Sequence, residues 1–258
     1  MSRWKQILAA ALVSVLLLGA LFAHVRLINA NNGRLLAWTD PAHVGIAISS
    51  IGSDDIADES HLTAVQNAIA AWNASTGTTA RLVEDASAPT RARTDWAADD
   101  LHLVFFDETG ASGYFPSGSS TVALTPVWFT SNGRITDADI LFNGRGFSFT
   151  TSKEPGAFDV QDVATHELGH LLGLDHSGVV GASLYPYVSP GLDLHRSIAS
   201  DDEHGLRDAY PSATAASISG TVRRASDASA VGGAYVVVRS SAGRTIASTL
   251  ADSAGAFR

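Results

Sequence analysis

Along residues 44 to 172 the spacing of apolar and polar positions changes period several times, and each change marks an element. Val44-Gly-Ile-Ala-Ile-Ser alternates as a strand does. From Ser60 to Ser75 the apolar residues Leu62, Val65, Ile69 and Trp72 recur every three or four positions, which is the stripe of an amphipathic helix, with Ser60 as its N-cap. Residues 101–106, 121–129 and 135–142 predict further strands, with Ser131-Asn-Gly133 as the turn between the last two. A second helix is predicted at about 159–172. Strands and helices in these proportions point to an α+β domain.

The ends of the chain read differently. Arg3 and Lys5 precede an apolar run from Ile7 to Ala23, the plan of a secretory signal. Residues 1–30 are therefore expected to be a signal peptide cleaved between Ala23 and Ala30, or an N-terminal anchor held in the membrane through residues 7–23. Either sends the protein out of the cytoplasm. Residues 31–211 are expected to form the main domain and 212–217, Ser-Ala-Thr-Ala-Ala-Ser, a linker. In 218–258, Ile218-Ser-Gly-Thr-Val-Arg, Ala234-Tyr-Val-Val-Val-Arg and Thr245-Ile-Ala-Ser-Thr-Leu alternate as short strands between Gly and Ser turns. Three strands with an unpaired edge are too few for independent stability, so this segment is expected to be an incomplete β module.

Composition narrows the function classes. A chain of 258 residues with 45% hydrophobic content holds one domain of ordinary size plus something smaller. With 17 basic against 26 acidic residues and a net charge of -9, and no Lys/Arg cluster, nucleic acid is excluded as an expected partner, whereas a peptide is compatible. Zero cysteines rule out disulfides. A monomer is expected.

The chemistry concentrates in His166-Glu-Leu-Gly-His170-Leu-Leu-Gly173-Leu-Asp-His176. His166 and His170 are one helical turn apart on the same face, close enough to share one metal ion. Glu167 points about 100° away around the axis, outside the ion's ligands but near a water bound to it, where a general base belongs. Gly173 falls where the helix must stop and reverse, a position that favours φ > 0. The reversal can return His176 as third ligand. Three imidazoles leave a tetrahedral zinc one open position, as in catalytic sites. His24, His43, His61, His102, His195 and His204 lie outside any ligand spacing and are expected to be ordinary surface or core residues.

These eleven residues carry the HExxHxxGxxH pattern of the metzincins, and with Ser177 following His176 the chain resembles the matrixin branch. Asp100-Leu-His-Leu-Val-Phe-Phe is similar to that family's central strand, Ile135-Thr-Asp-Ala-Asp-Ile-Leu-Phe-Asn143 to a later strand, and the run Asp201 to Pro211 to its final helix, so the likeness spans about Arg34 to Pro211. The resemblance implies a zincin-like α+β catalytic domain with a mixed, twisted sheet and a zinc-binding active-site helix. It implies a secreted zinc endopeptidase, with His166, His170 and His176 as ligands and Glu167 as general base and acid. It further implies that peptide substrate adds to a sheet edge at 121–126, which could equally be an interior strand, and that Pro186-Tyr187-Val188 walls the pocket for the residue after the scissile bond.

Two features depart from the family. The methionine beneath the zinc is absent, Met1 being the only one in the chain, and Leu184 takes its place. The loop Asp107-Glu-Thr-Gly-Ala-Ser-Gly-Tyr has no histidine for a structural zinc, so one zinc is expected; Asp residues and loop carbonyls could hold calcium, although no calcium-loop pattern is legible. The C-terminal segment resembles the start of a carboxypeptidase-regulatory-like β-sandwich repeat, ending in Asp252-Ser-Ala-Gly-Ala-Phe257. The alternative function is a catalytically silent zinc-bearing adhesion or binding protein, and a lesser one is an exopeptidase.

Overall fold

The structure is a computed structural model that describes residues 24–97, 99–213, 218–239, 241, 243 and 245–257. The apolar run 7–23 and most of the expected linker, 214–217, lie outside the described residues. The chain divides into two units, one of which is His24–Ala215 and the other of which holds Ala216–Arg258.

In the first unit β1 (Val25–Arg26) precedes β2 (Val44–Ile48), α1 (Ser60–Asn73), β3 (Leu82–Asp85) and β4 (Leu103–Phe106). There follow β5 (Ala123–Leu124), β6 (Val127–Phe129), β7 (Ile135–Ala138), β8 (Ile140–Phe142), β9 (Phe149–Thr150) and β10 (Phe158–Asp159). The unit ends with α2 (Val160–Leu171), β11 (Leu174–Asp175) and α3 (Ser200–Ala209). A five-stranded sheet runs β3-β2-β4-β8-β5, parallel except for β5, which is antiparallel at one edge. The mixed sheet and the α+β character of the unit are as the sequence led one to expect. Every residue of β4 and β8 is buried, and their unbroken apolar sequences suit strands covered on both faces. On one face α1 and α2 supply Val65, Ile69, Trp72, Leu168 and Leu171 to the main core; on the other, Phe105, Phe115 and Leu141 form a smaller cluster.

Two predicted strands are each broken in two. The run 121–129 divides at Thr125-Pro126, because proline has no N–H to continue a ladder; β5 pairs with β8 and β6 with β7. The run 135–142 divides at Asp139, whose N–H reaches Pro126 O at 3.3 Å. The N-cap of α1 is also corrected. Glu59 occupies it in the left-handed region at φ 55, Asp58 Oδ1 accepts from the Ser60 N–H at 3.1 Å, and the Ser60 hydroxyl bonds Thr151 Oγ1 at 2.7 Å instead of capping. Chain ahead of residue 31 folds with this unit: β1 pairs with β11, and Leu36 N–H donates to Leu27 O at 2.8 Å.

The second unit holds β12 (Gly220–Thr221), β13 (Tyr235–Arg239), β14 (Thr245–Leu250) and β15 (Ala256–Phe257). They form two antiparallel pairs, β12 with β15 and β13 with β14. The expectation of three strands missed β15, a two-residue strand too short to show a period.

Candidate metal centre

The zinc-motif helix is built to stop where the sequence says. Asp159 caps α2 by accepting from Asp162 N–H at 3.0 Å. At the other end Gly173 has φ +86 and donates its N–H to His170 O at 2.8 Å; a Cβ there would lie 2.9 Å from Leu36 O, so glycine is required on two counts. Past Gly173 the chain turns into β11 and delivers His176. One ligand atom from each of His166, His170 and His176 lies within 4.8 Å of the others, the one such group of three among the described residues.

The hydrogen bonds around these rings fix their tautomers. His166 Nδ1 bonds Ser183 O and His170 Nδ1 bonds Leu174 O, each at 2.9 Å. Carbonyl oxygens only accept, so both Nδ1 atoms carry the proton and both Nε2 atoms present lone pairs. Those two Nε2 atoms stand 3.1 Å apart. Two facing lone pairs at that distance repel unless a cation lies between them, and three convergent neutral imidazoles fit tetrahedral zinc. Burial holds the His166 imidazole well below its ordinary pKa and lowers that of His176 too, which keeps them neutral as ligation requires. The cofactor this donor set fits is zinc.

Glu167 is 5% exposed and does not join the three rings. Its Oε2 accepts from the Thr125 hydroxyl at 2.6 Å. Burial pushes the carboxyl pKa up, and the Thr125 hydrogen bond pulls against it. Thr125 sits at the break after β5, the last strand in the sheet order, so the 121–126 segment is an edge and not an interior strand. It lines a cleft of about 620 Å³ that also contains the three histidines, Glu167 and Tyr185-Pro-Tyr-Val188.

Leu184 forms the apolar floor. It is 2% exposed and faces Gly169 of α2 so closely that a Cβ there would lie 2.6 Å from Leu184 Cδ2. The turn is tied down by Ser177 N–H to Leu184 O at 2.9 Å, by the Ser177 hydroxyl to Asp201 at 2.6 Å, and by Ser183 N–H to Asp202 at 2.6 Å. Sequence reading missed Thr125, Asp201 and Asp202 as supports because each lies 19 or more residues from its partner, beyond any local spacing.

The other histidines take ordinary places. His43 faces Asp40, His61 Nε2 bonds Ser49 O, and His102 Nδ1 bonds Asp137 at 2.7 Å. His195 is the exception to the plain reading, since it lines the cleft, paired with Asp162. In the histidine-free loop after β4, the Asp107 carboxylate accepts from the backbone N–H groups of Gly110, Ala111 and Ser112.

Fold and site together define a metzincin-type zinc domain. The matrixin family profile matches residues 37–211, well over half of the chain, and the chain belongs to that family. Metalloendoproteinase 1 of Glycine max is 32% identical over 118 residues, covering 45% of this chain and 38% of that protein. Metalloendoproteinase 5-MMP of Arabidopsis thaliana is 39% identical over 95 residues, 37% of this chain and 23% of that protein. The hatching enzyme of Paracentrotus lividus is 27% identical over 180 residues, 70% of this chain and 27% of that protein. The chain thus spans well under half the length of these relatives.

Proposed function

We propose that this protein is a secreted zinc endopeptidase in which His166, His170 and His176 hold one zinc ion and Glu167 moves the proton. The observation that carries this reading is Glu167 itself: a buried carboxyl beside the three rings, absent from the ligand set, and aimed by the Thr125 hydroxyl. Zinc binding alone has no use for it.

When bound, zinc supplies a water activated at neutral pH and a Lewis acid for the scissile carbonyl. The chain does the rest. Nδ1–H bonds from His166 and His170 to backbone carbonyls hold their rings in one orientation. Glu167 accepts the nucleophile's proton and returns it to the leaving amine, its raised pKa matching it to both roles. An extended peptide adds to the free edge of β5, main chain to main chain.

The remaining readings belong with this one. The run 7–23 directs export, as a cleaved signal or as an anchor, and among the described residues no helix is long and apolar enough to cross a membrane. Residues 218–258 form part of a carboxypeptidase-regulatory-like β module that tethers or binds. The domain proper is taken as residues 31–211 together with the chain from His24 that pairs with it through β1, with 212–217 as linker, and the protein as a monomer. Incubation with a broad peptide library, with and without chelator, tests the function. Internal cuts that vanish with chelator and return with zinc are expected; zinc-loaded protein that cuts no member leaves the silent binding reading, and terminal trimming alone would make it an exopeptidase.

A further inference from the structure

The cleft continues past the three histidines. Asp162 lies one helical turn before His166 on the same face of α2, about 6 Å back along the axis, and it lines the cleft with Val163, Val188 and His195. Asp162 and His195 are 1% and 5% exposed. The Asp162 carboxylate takes two bonds from the same partner, the His195 backbone N–H on Oδ1 and His195 Nδ1 on Oδ2 at 3.1 Å. Because a carboxylate only accepts, Nδ1 carries the proton and Nε2 is the ring's free edge. Among the described residues Nε2 makes no hydrogen bond, and it is not fully buried, on a side chain that is 7% exposed.

In its neutral form the ring therefore offers the cleft an acceptor backed by a carboxylate, with Val163 and Val188 in the same lining. The charged residues lining the cleft, histidines aside, are Asp162, Glu167 and Asp175, all acidic. The nearby Arg196 is already committed: its Nε donates to Asp159 at 2.9 Å and its Nη2 also pairs with Asp159.

Resting on the peptidase reading, we infer that the Asp162–His195 pair selects substrates with a long basic side chain on the residue that follows the scissile bond. A lysine stem of four carbons lies along Val163 and Val188 and brings its ammonium to His195 Nε2. An apolar side chain of equal length strips water from Nε2 and returns no bond, the mismatch on which polar pockets discriminate best.

Two peptide hydroxamates that differ only at this side chain, lysine against norleucine, are titrated calorimetrically into the zinc-loaded full chain. The lysine form is expected to bind at least about tenfold more tightly, in line with one added charge-assisted hydrogen bond. Asp162→Asn removes the charge and is expected to bring the two affinities within about twofold at unchanged zinc content. Independently of any variant, the ¹⁵N signal of His195 Nε2 is expected to shift with the lysine ligand and not with the norleucine one. Norleucine binding as tightly as lysine, a preference untouched by Asp162→Asn, or an unresponsive His195 signal overturns the inference and leaves the pair as a clamp on its loop. Lysine preference in binding with neither matched peptide cleaved supports the pocket and sinks the peptidase reading alone.

Discussion

The Thr125 hydroxyl reaches Glu167 Oε2 at 2.6 Å and its main-chain oxygen at 3.3 Å, so a single side chain from the sheet edge sets where the Glu167 carboxyl points. Thr125→Val keeps the shape and removes the bond. Loss of aim in a proton-transfer group costs roughly ten- to a hundredfold, so kcat is expected to fall by that amount with zinc content unchanged; an unaltered kcat would show that packing alone orients Glu167. Leu184 makes the opposite prediction. It fills the floor beneath α2 against Gly169, and Leu184→Met, close in volume, is expected to cost under about 1.5 kcal/mol. Leu184→Ala is expected to cost about 2–5 kcal/mol, both read from the denaturant midpoint.

At the scale of elements, the corner where the sheet divides carries a buried charge. Asp139 accepts from Leu103 N–H at 2.7 Å and Ala97 N–H at 3.1 Å, tying the strand break to the segment before β4. Burial nonetheless pushes its carboxyl from 3.8 up to about 7. A carboxyl with a raised folded pKa holds its proton more tightly in the native state, so its contribution is complete below 3.8 and is lost as pH climbs through about 7. Asp139→Asn is expected to flatten the pH dependence of stability across that window, whatever the absolute cost of the altered hydrogen bonds; an unchanged slope would contradict it. This corner also explains what the sequence left unread. Apolar period found α1, α2 and the positions of β2, β4 and β8, because burial imposes period directly. It joined β5 to β6 and β7 to β8, because Pro126 and Asp139 interrupt the ladders without interrupting the apolar pattern. The Ser60 cap failed for a related reason: its hydroxyl found a tertiary partner in Thr151. The histidine trio was legible since helix geometry turns spacing into proximity, whereas Thr125, Asp201 and His195 act across distances that only the fold closes.

For the molecule as a whole, three histidines from α2 and from the chain just past β11 converge, and β11 pairs in turn with β1. A metal held by the native state and not by the unfolded chain stabilises by mass action, so chelation is expected to lower the unfolding midpoint of His24–Ala215 and zinc to restore it. Because Ala216–Arg258 falls in the other unit, a chain ended at residue 215 is expected to retain zinc and its unfolding midpoint; loss of either would assign the second unit a part in the site. The most direct test of the central claim compares wild-type protein with Glu167→Gln in one preparation, measuring zinc per chain and internal cleavage of peptides together. One zinc in both proteins, with cleavage only in the wild type, is the predicted result; equal cleavage by the two, or one zinc and no cleavage in the wild type, would contradict it.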